Sequence, residues 1–277
     1  MRKSGMVVFP VAKINLGLHI TRKRPDGYHE IETIFYPVGL CDALEILPGT
    51  EGSFADNITV TGLNPEVSPE SNLVIRAVER VRRIHSIPFL RIHLHKVIPV
   101  GAGLGGGSSD AAYAIKAVDR LFSLSFEPDR MRTIAAGLGS DCPFFVEASP
   151  AYATGRGEIL KPLPKILEGY YLLLVNPGVR ISTAEAYENC LPSVHESDLA
   201  AIASGRLSQW QDLMINDFEK TVFRKYPEIG ALKNFLYETG AVFSLMSGSG
   251  STVYGIFRNR PDIPGRLKDH ILYEGTL

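Results

Sequence analysis

Five glycines fall within the seven residues 101–107, in the run Pro99-Val100-Gly101-Ala102-Gly103-Leu104-Gly105-Gly106-Gly107-Ser108-Ser109-Asp110-Ala111-Ala112. Backbone amides freed of side chains can close around phosphate oxygens, and a helix starting near Ser108 adds the pull of its positive end. A hinge before an ordinary Ser-capped helix needs less glycine than this. The run is therefore read as a polyphosphate cradle. It is not a P-loop, because no Gly-Lys pair occurs anywhere in the chain. Gly101, Gly103 and Gly106 satisfy the dinucleotide spacing G-x-G-x-x-G, but that pattern belongs after a fully buried parallel strand. The preceding segment alternates Phe89, Arg91, His93 and His95 with Leu90, Ile92 and Leu94, as a strand with one wet face does.

Composition bounds the remaining classes. The 277 residues suffice for one large domain or two of ordinary size, and a net charge of −1 gives no general attraction to nucleic acid or anionic membrane. Cys41, Cys142 and Cys190 are odd in number and lack C-x-x-C spacing, which argues against a disulfide framework or zinc site and for a reducing, cytoplasmic compartment. His93 and His95 share one strand face, but two ligands do not make a zinc site. No apolar run approaches a membrane span, residues 1–12 lack the apolar core of a signal peptide, and no feature calls for an obligate protein partner.

The elements that must carry the cradle follow from periodicity and turn chemistry. Strands are expected over 7–20, 31–38, 43–47 and 58–61, separated by Pro25-Asp26-Gly27, Pro48-Gly49 and a turn over 62–65. A helix over 71–85 has an apolar stripe of Leu73, Ala77, Val78 and Val81 and a solvated basic face of Arg76, Arg80, Arg82 and Arg83. The strand at 89–96, the cradle, a helix to Phe122 and another over 127–138 come next. A strand pair over 152–160, a linker marked by Pro162, Pro164 and Gly169, a buried strand over 170–175 and polar helices over 183–238 follow. Strands over 242–246 and 252–257 flank Ser247-Gly248-Ser249-Gly250-Ser251, either a tight strand connection or a ligand contact. This order predicts an α+β fold without repeated βαβ units.

Three segments in order, Pro10-Val11-Ala12-Lys13-Ile14-Asn15-Leu16, the run 99–112 and the run 247–251, resemble the signature motifs of the GHMP kinases. Arg24-Pro25-Asp26-Gly27-Tyr28-His29 with Glu32-Thr33, Gly139-Ser140-Asp141-Cys142-Pro143-Phe144-Phe145 and Thr154-Gly155-Arg156-Gly157-Glu158 point to one branch of that family. The resemblance spans nearly the whole chain, least over 191–211 and after Arg260. It implies a two-lobed α+β fold, with a ribosomal-protein-S5-like ATP-binding domain over 1–161 and a ferredoxin-like domain over 162–277. It also implies ATP and Mg²⁺ as cofactors and phosphorylation of the 2-hydroxyl of a cytidine-diphosphate-linked methylerythritol, a step of the non-mevalonate isoprenoid pathway.

By the same resemblance Asp141 is the catalytic base, though an Asp in such a turn taken alone is more often a cap. Lys13, in an otherwise apolar strand, is its electrostatic partner. Pro99, Val100, Gly101, Ala102, Gly103, Leu104, Gly105, Gly106, Gly107, Ser108 and Ser109 bind the nucleotide, the two serines either touching phosphate or capping the helix. Asn15 positions the substrate or Lys13. Tyr28 and Tyr187 stack on the two faces of cytosine, His29 reads its edge, and Thr183 lies on the substrate side. No Mg²⁺ ligand is nominated. Tyr28-His29 speaks against a homoserine- or mevalonate-type kinase, and the presence of both Lys13 and Asp141 against a non-catalytic nucleotide-binding regulator.

Overall fold

A computed structural model describes residues 5–50, 52–63, 68–188, 190–193, 195 and 198–277. Residues 64 and 65 of the expected 62–65 turn, residues 1–4 of the amino-terminal stretch, and residues 189, 194, 196 and 197 of the expected helical stretch lie outside the described residues. Strands β1 (Met6–Val8), β2 (Val11–Lys23), β3 (His29–Cys41), β4 (Ala43–Pro48) and β5 (Asn57–Gly62) precede helix α1 (Leu73–Arg82) and strand β6 (Leu90–Lys96). Helices α2 (Gly106–Phe122), α3 (Pro128–Ala136) and α4 (Phe144–Glu147) lead to β7 (Ala151–Thr154), β8 (Ile159–Pro162) and β9 (Tyr171–Val175). Then come α5 (Thr183–Glu188), α6 (Leu199–Ala203), α7 (Trp210–Leu213), α8 (Glu219–Lys225) and α9 (Pro227–Glu238), followed by β10 (Phe243–Met246), β11 (Val253–Phe257), α10 (Gly265–Lys268) and β12 (Ile271–Thr276).

The chain divides into two compact units that are not consecutive in sequence. The first holds Met1–Ala12, Leu40–Val100 and Gly105–Ala148, and the second holds Lys13–Gly39, Gly101–Leu104 and Ser149–Leu277. This division differs from the expected boundary after residue 161, because residues 13–39 of β2 and β3 share a sheet with β7 and β8.

In the first unit the sheet runs β1-β4-β6-β5. Its β6 alternates strictly, with Leu90, Ile92, Leu94 and Lys96 inward and Arg91, His93 and His95 outward. The wet face is as expected, and Thr61 Oγ1 bonds His93 Nε2 at 2.9 Å and His95 Nδ1 at 3.0 Å. β5 and β6 are parallel across α1, so the unit contains one βαβ crossover that the sequence reading did not anticipate. Helix α1 begins after Asn72, whose side chain accepts the Val74 amide. Its basic face is more than a solvated one: Arg82 makes two 2.7 Å bonds to Asp56 and Arg80 donates to Gly137 O. Ile46, Val74, Val78, Leu94, Ile115 and Val118 lie in the core between sheet and helices.

The expected single strand over 7–20 is two strands, broken at Phe9 and Pro10. Pro10 has no amide hydrogen to give a ladder, and its carbonyl instead accepts the Asp42 amide at 2.9 Å. In the second unit one sheet runs β2-β3-β7-β8, and an antiparallel sheet runs β10-β11-β9-β12. The second sheet packs Leu173, Val175, Val253 and Phe257 against Val222, Ile229 and Leu236 of α8 and α9. The last strand after Arg260, whose packing the sequence leaves open, is β12, which pairs antiparallel with β9.

Candidate active site

Within the second unit Lys13 and Asn15 point inward from β2, at 3% and 1% exposure. Lys13 Nζ donates to Asn15 Oδ1 and, at 2.9 Å, to Gly103 O, and lies 5.2 Å from the Phe35 ring centroid. Asn15 Nδ2 donates to Thr33 Oγ1, which donates to Gly17 O. The ammonium is therefore aimed by an amide that is itself aimed by a second strand. Such support is what holds a functional side chain in one rotamer.

The run 247–251 is a strand connection between β10 and β11, and it grips the cradle. Ser247 Oγ donates to Gly103 O at 2.9 Å and accepts the Asn15 amide at 3.2 Å. A Cβ at Gly103 would stand 1.9 Å from Ser247 O, and its φ is +78°, so glycine there is demanded by packing and backbone together. Asn216 holds the same turn from the far side, donating to Met246 O and Gly248 O at 2.8 Å. Ala102 and Leu104 are buried, and their carbonyls accept from the Thr252 and Lys13 amides. Gly101 has φ +69°. Residues 101–104 are thus a rigid seat for Lys13.

Residues 105–109 belong to the first unit and open α2. The helix begins at Gly106, with Gly105 at φ +70° as N-cap and no side chain capping it. Of the two roles left open for Ser108 and Ser109, capping is not the one seen: both lie inside the first turn, and the leading amides have no side-chain cap. Gly106 packs tightly, since a Cβ there would meet Ile98 Cγ2 at 2.9 Å, whereas one at exposed Gly107 would meet only Leu73 Cδ1 at 3.7 Å. Ser109 is fully buried and Ser108 half-buried, so Ser108 is the hydroxyl this conformation presents. Pro99 is half-buried and Val100 exposed.

Asp141, half-buried, sits in the turn that runs from Gly139 into α4, closed by the Cys142 amide on Gly139 O at 3.2 Å. Burial, with Asp141's charge also raising it, pushes the Cys142 thiol up to about 11. That cysteine is an inert neighbour at neutral pH.

Tyr28, His29, Thr183 and Tyr187, expected at the cytidine end, all lie in the second unit. Tyr28 is exposed in the turn before β3, with the Arg156 guanidinium 4.8 Å from its centroid. His29 stacks directly on Tyr187, centroids 4.6 Å apart and planes at 14°, and Phe218 meets Tyr187 edge-on at 4.8 Å. One face of Tyr187 is thus covered by His29. Desolvation, with Lys23 nearby, lowers the His29 pKa and keeps the ring neutral at pH 7, one nitrogen donating and the other accepting. Thr183 is exposed at the start of α5. Thr33, read from the sequence only as part of Glu32-Thr33, turns out to aim Asn15, while Phe35, Asn216 and Tyr254, which donates to Asn15 O at 2.9 Å, were missed because isolated residues far apart in sequence carry no local pattern.

The GHMP kinases N terminal domain model matches residues 72–148 and the GHMP kinases C terminal model residues 191–266. A 4-diphosphocytidyl-2-C-methyl-D-erythritol kinase of Parabacteroides distasonis is 46% identical over 98% of this chain and 100% of its own length. That of Bacteroides thetaiotaomicron is 46% identical over 94% of each. A crystal structure of 4-(cytidine 5'-diphospho)-2C-methyl-D-erythritol kinase superposes with TM-score 0.76 at 33% identity, covering 91% of this chain and 90% of that one. Methanococcus jannaschii mevalonate kinase, at 14% identity and TM-score 0.67 over 93% and 92%, shares the fold. The chain belongs to the GHMP kinases, has their α+β fold, and is an ATP-dependent small-molecule kinase.

Proposed function

We propose that this kinase transfers the γ-phosphate of ATP to the 2-hydroxyl of 4-diphosphocytidyl-2-C-methyl-D-erythritol, in the non-mevalonate isoprenoid pathway. The observation that carries the reading is identity of 46% across almost the full length of two kinases of that name. The structural likeness to mevalonate kinase rests on 14% identity and speaks for fold alone. We assign 1–161 to ATP binding and 162–277 to the C-terminal domain, each containing one of the two family matches.

In this reading the uncapped amides at Gly106, Gly107 and Ser108 hold the phosphates, with residues 99–105 shaping the approach. Asp141 accepts the proton of the substrate hydroxyl as it attacks, and Lys13 compensates charge developing on the transferred group. Asn15 keeps Lys13 in place by accepting the hydrogen bond from its ammonium. Tyr28, His29, Thr183 and Tyr187 bind the cytidine end, with neutral His29 supplying one donor and one acceptor to the base edge. Cytosine stacks between Tyr28 and Tyr187 once His29 moves off the Tyr187 face it covers.

Among the described residues no three His, Cys, Asp or Glu side chains stand together as a ligand set. Mg²⁺ held chiefly by ATP oxygens and water needs no such set, so it fits this site. When bound it neutralises phosphate charge. We place the reaction in the cytoplasm, in keeping with three free cysteines. The test is to incubate the protein with Mg²⁺, ATP and a panel of alcohols and identify the product by mass spectrometry. Phosphorylation of the cytidine-linked polyol is expected, and transfer to homoserine or mevalonate instead would reject the assignment.

A further inference from the structure

β6 carries its alternation one inward position, two residues, beyond Leu94, and so Lys96 is turned into the interior of the first unit, 3% exposed. Its ammonium donates to Asp42 Oδ2 and, at 2.7 Å, to Asp110 Oδ2, all three side chains being almost wholly buried. Asp42 stands at the corner between β3 and β4, and its other oxygen accepts the amides of Val97 and Ile98, the first two residues of the segment leading to the cradle. Asp110 stands one turn into α2. Lys96 Nζ comes within 3.2 Å of where a Cβ of Gly106 would be, directly under the first helical residue.

We propose that Lys96, Asp42 and Asp110 form a positioning unit for the nucleotide, fixing the path of the phosphate-binding segment and setting the net charge beneath it. The proposal rests on the ATP reading of the glycine loop. Asp42 ties the entry of that segment, Asp110 ties its helix, and Lys96 joins the two. With all three groups ionised the cluster carries one net negative charge under an anion site, and a proton on Asp110 cancels it. Burial raises the Asp110 carboxyl to about 7, Asp42 adding to the rise and Lys96 opposing it, and its Oδ1 has no hydrogen-bond partner among the described residues. Lys96 and Asp42 are the groups whose charge bears on Asp110, with Cys41 beside Asp42 and Tyr113 further along α2. Phosphate charge at the helix start favours the protonated form, so ATP binding takes up a proton, and by reciprocity acidification through pH 7 strengthens ATP binding.

The experiment is calorimetry of MgATP binding to the full-length protein in two buffers of different ionisation enthalpy, comparing wild type with Asp110→Asn. Wild type is expected to take up a fraction of a proton at pH 7 that Asp110→Asn does not, because its raised carboxyl is partly unprotonated before ATP binds. If only the protonated form binds, wild-type ATP affinity falls about fivefold between pH 7 and 8, while that of Asp110→Asn, a neutral mimic, changes less. Lys96→Met is expected to raise KM for ATP about tenfold with little change in KM for the cytidine substrate, and Lys96→Arg to recover part of the loss. Should Lys96→Met fail to fold, the Asp110→Asn calorimetry decides alone. Equal proton uptake by wild type and Asp110→Asn would overturn the proposal. Wild type that binds no ATP would instead sink the reading of the loop itself.

Discussion

Gly107 and Gly103 belong to the same glycine loop, yet the structure assigns opposite consequences to a methyl group at each. At Gly107 the backbone is helical and the nearest atom to an added Cβ is Leu73 Cδ1 at 3.7 Å, an ordinary contact. Alanine there removes the entropic penalty of glycine in a helix, a gain of roughly 0.5–1 kcal/mol. For a chain of this size the unfolding midpoint should rise by roughly 1–4 °C. If phosphate is held there as proposed, the same methyl obstructs its approach to the amide, and ATP affinity should fall about tenfold, or ~1.4 kcal/mol. At Gly103 the added Cβ meets Ser247 O at 1.9 Å with φ at +78°. A left-handed alanine costs roughly 1–2 kcal/mol. Displacing Ser247 and Lys13 from Gly103 O forfeits two hydrogen bonds at about 1 kcal/mol each, so Gly103→Ala should lose roughly 3–4 kcal/mol of stability. Thermal unfolding with and without ATP, beside calorimetry, separates the two. A stabilised Gly107→Ala with wild-type ATP affinity would refute phosphate approach at that amide, and a Gly103→Ala as stable as wild type would refute the packing argument.

Asp141→Asn should bind both ligands yet turn over about 10² to 10⁴ times more slowly, as loss of a general base does, and single-turnover kinetics would expose a near-normal rate that contradicts the assignment. Lys13→Met should also slow transfer, and the double variant should be less impaired than the product of the single losses if the two act together. Tyr187→Ala should weaken the cytidine substrate by roughly 1–3 kcal/mol while sparing ATP, and His29→Ala should blur discrimination between cytidine and uridine forms; equal losses for ATP and substrate in titrations would mean damage to the fold. His19, fully buried and stacked on His195 at 3.8 Å, protonates only at about 4 because of burial and, secondarily, His195, against 6.5 when unfolded. The unfolded chain therefore takes the proton first, and stability should fall as pH drops from 6.5 to about 4, by up to about 3 kcal/mol. Chemical denaturation across that range should show a flatter profile for His19→Phe, and an unchanged profile would contradict this account.

Local pattern was enough to find the glycine-rich loop before α2, the alternation of β6, the apolar stripe of α1 and the resemblance carried by Lys13, Asp141 and Tyr28-His29, because each is a feature of neighbouring residues. The same alternation rule places Lys96 indoors, but nothing in its neighbourhood says that Asp42 and Asp110 meet it there, 54 and 14 residues away. The break at Pro10, the parallel pairing of β5 with β6, the edge strand β12 and the covering of Tyr187 by His29 likewise depend on partners distant in the chain. Gly103 and Gly107 are the same letter in the same motif, and periodicity gives no means of telling them apart. Only the fold distinguishes them, because the space a side chain would need at Gly103 is occupied by Ser247, a residue 144 positions away, and at Gly107 it is left open.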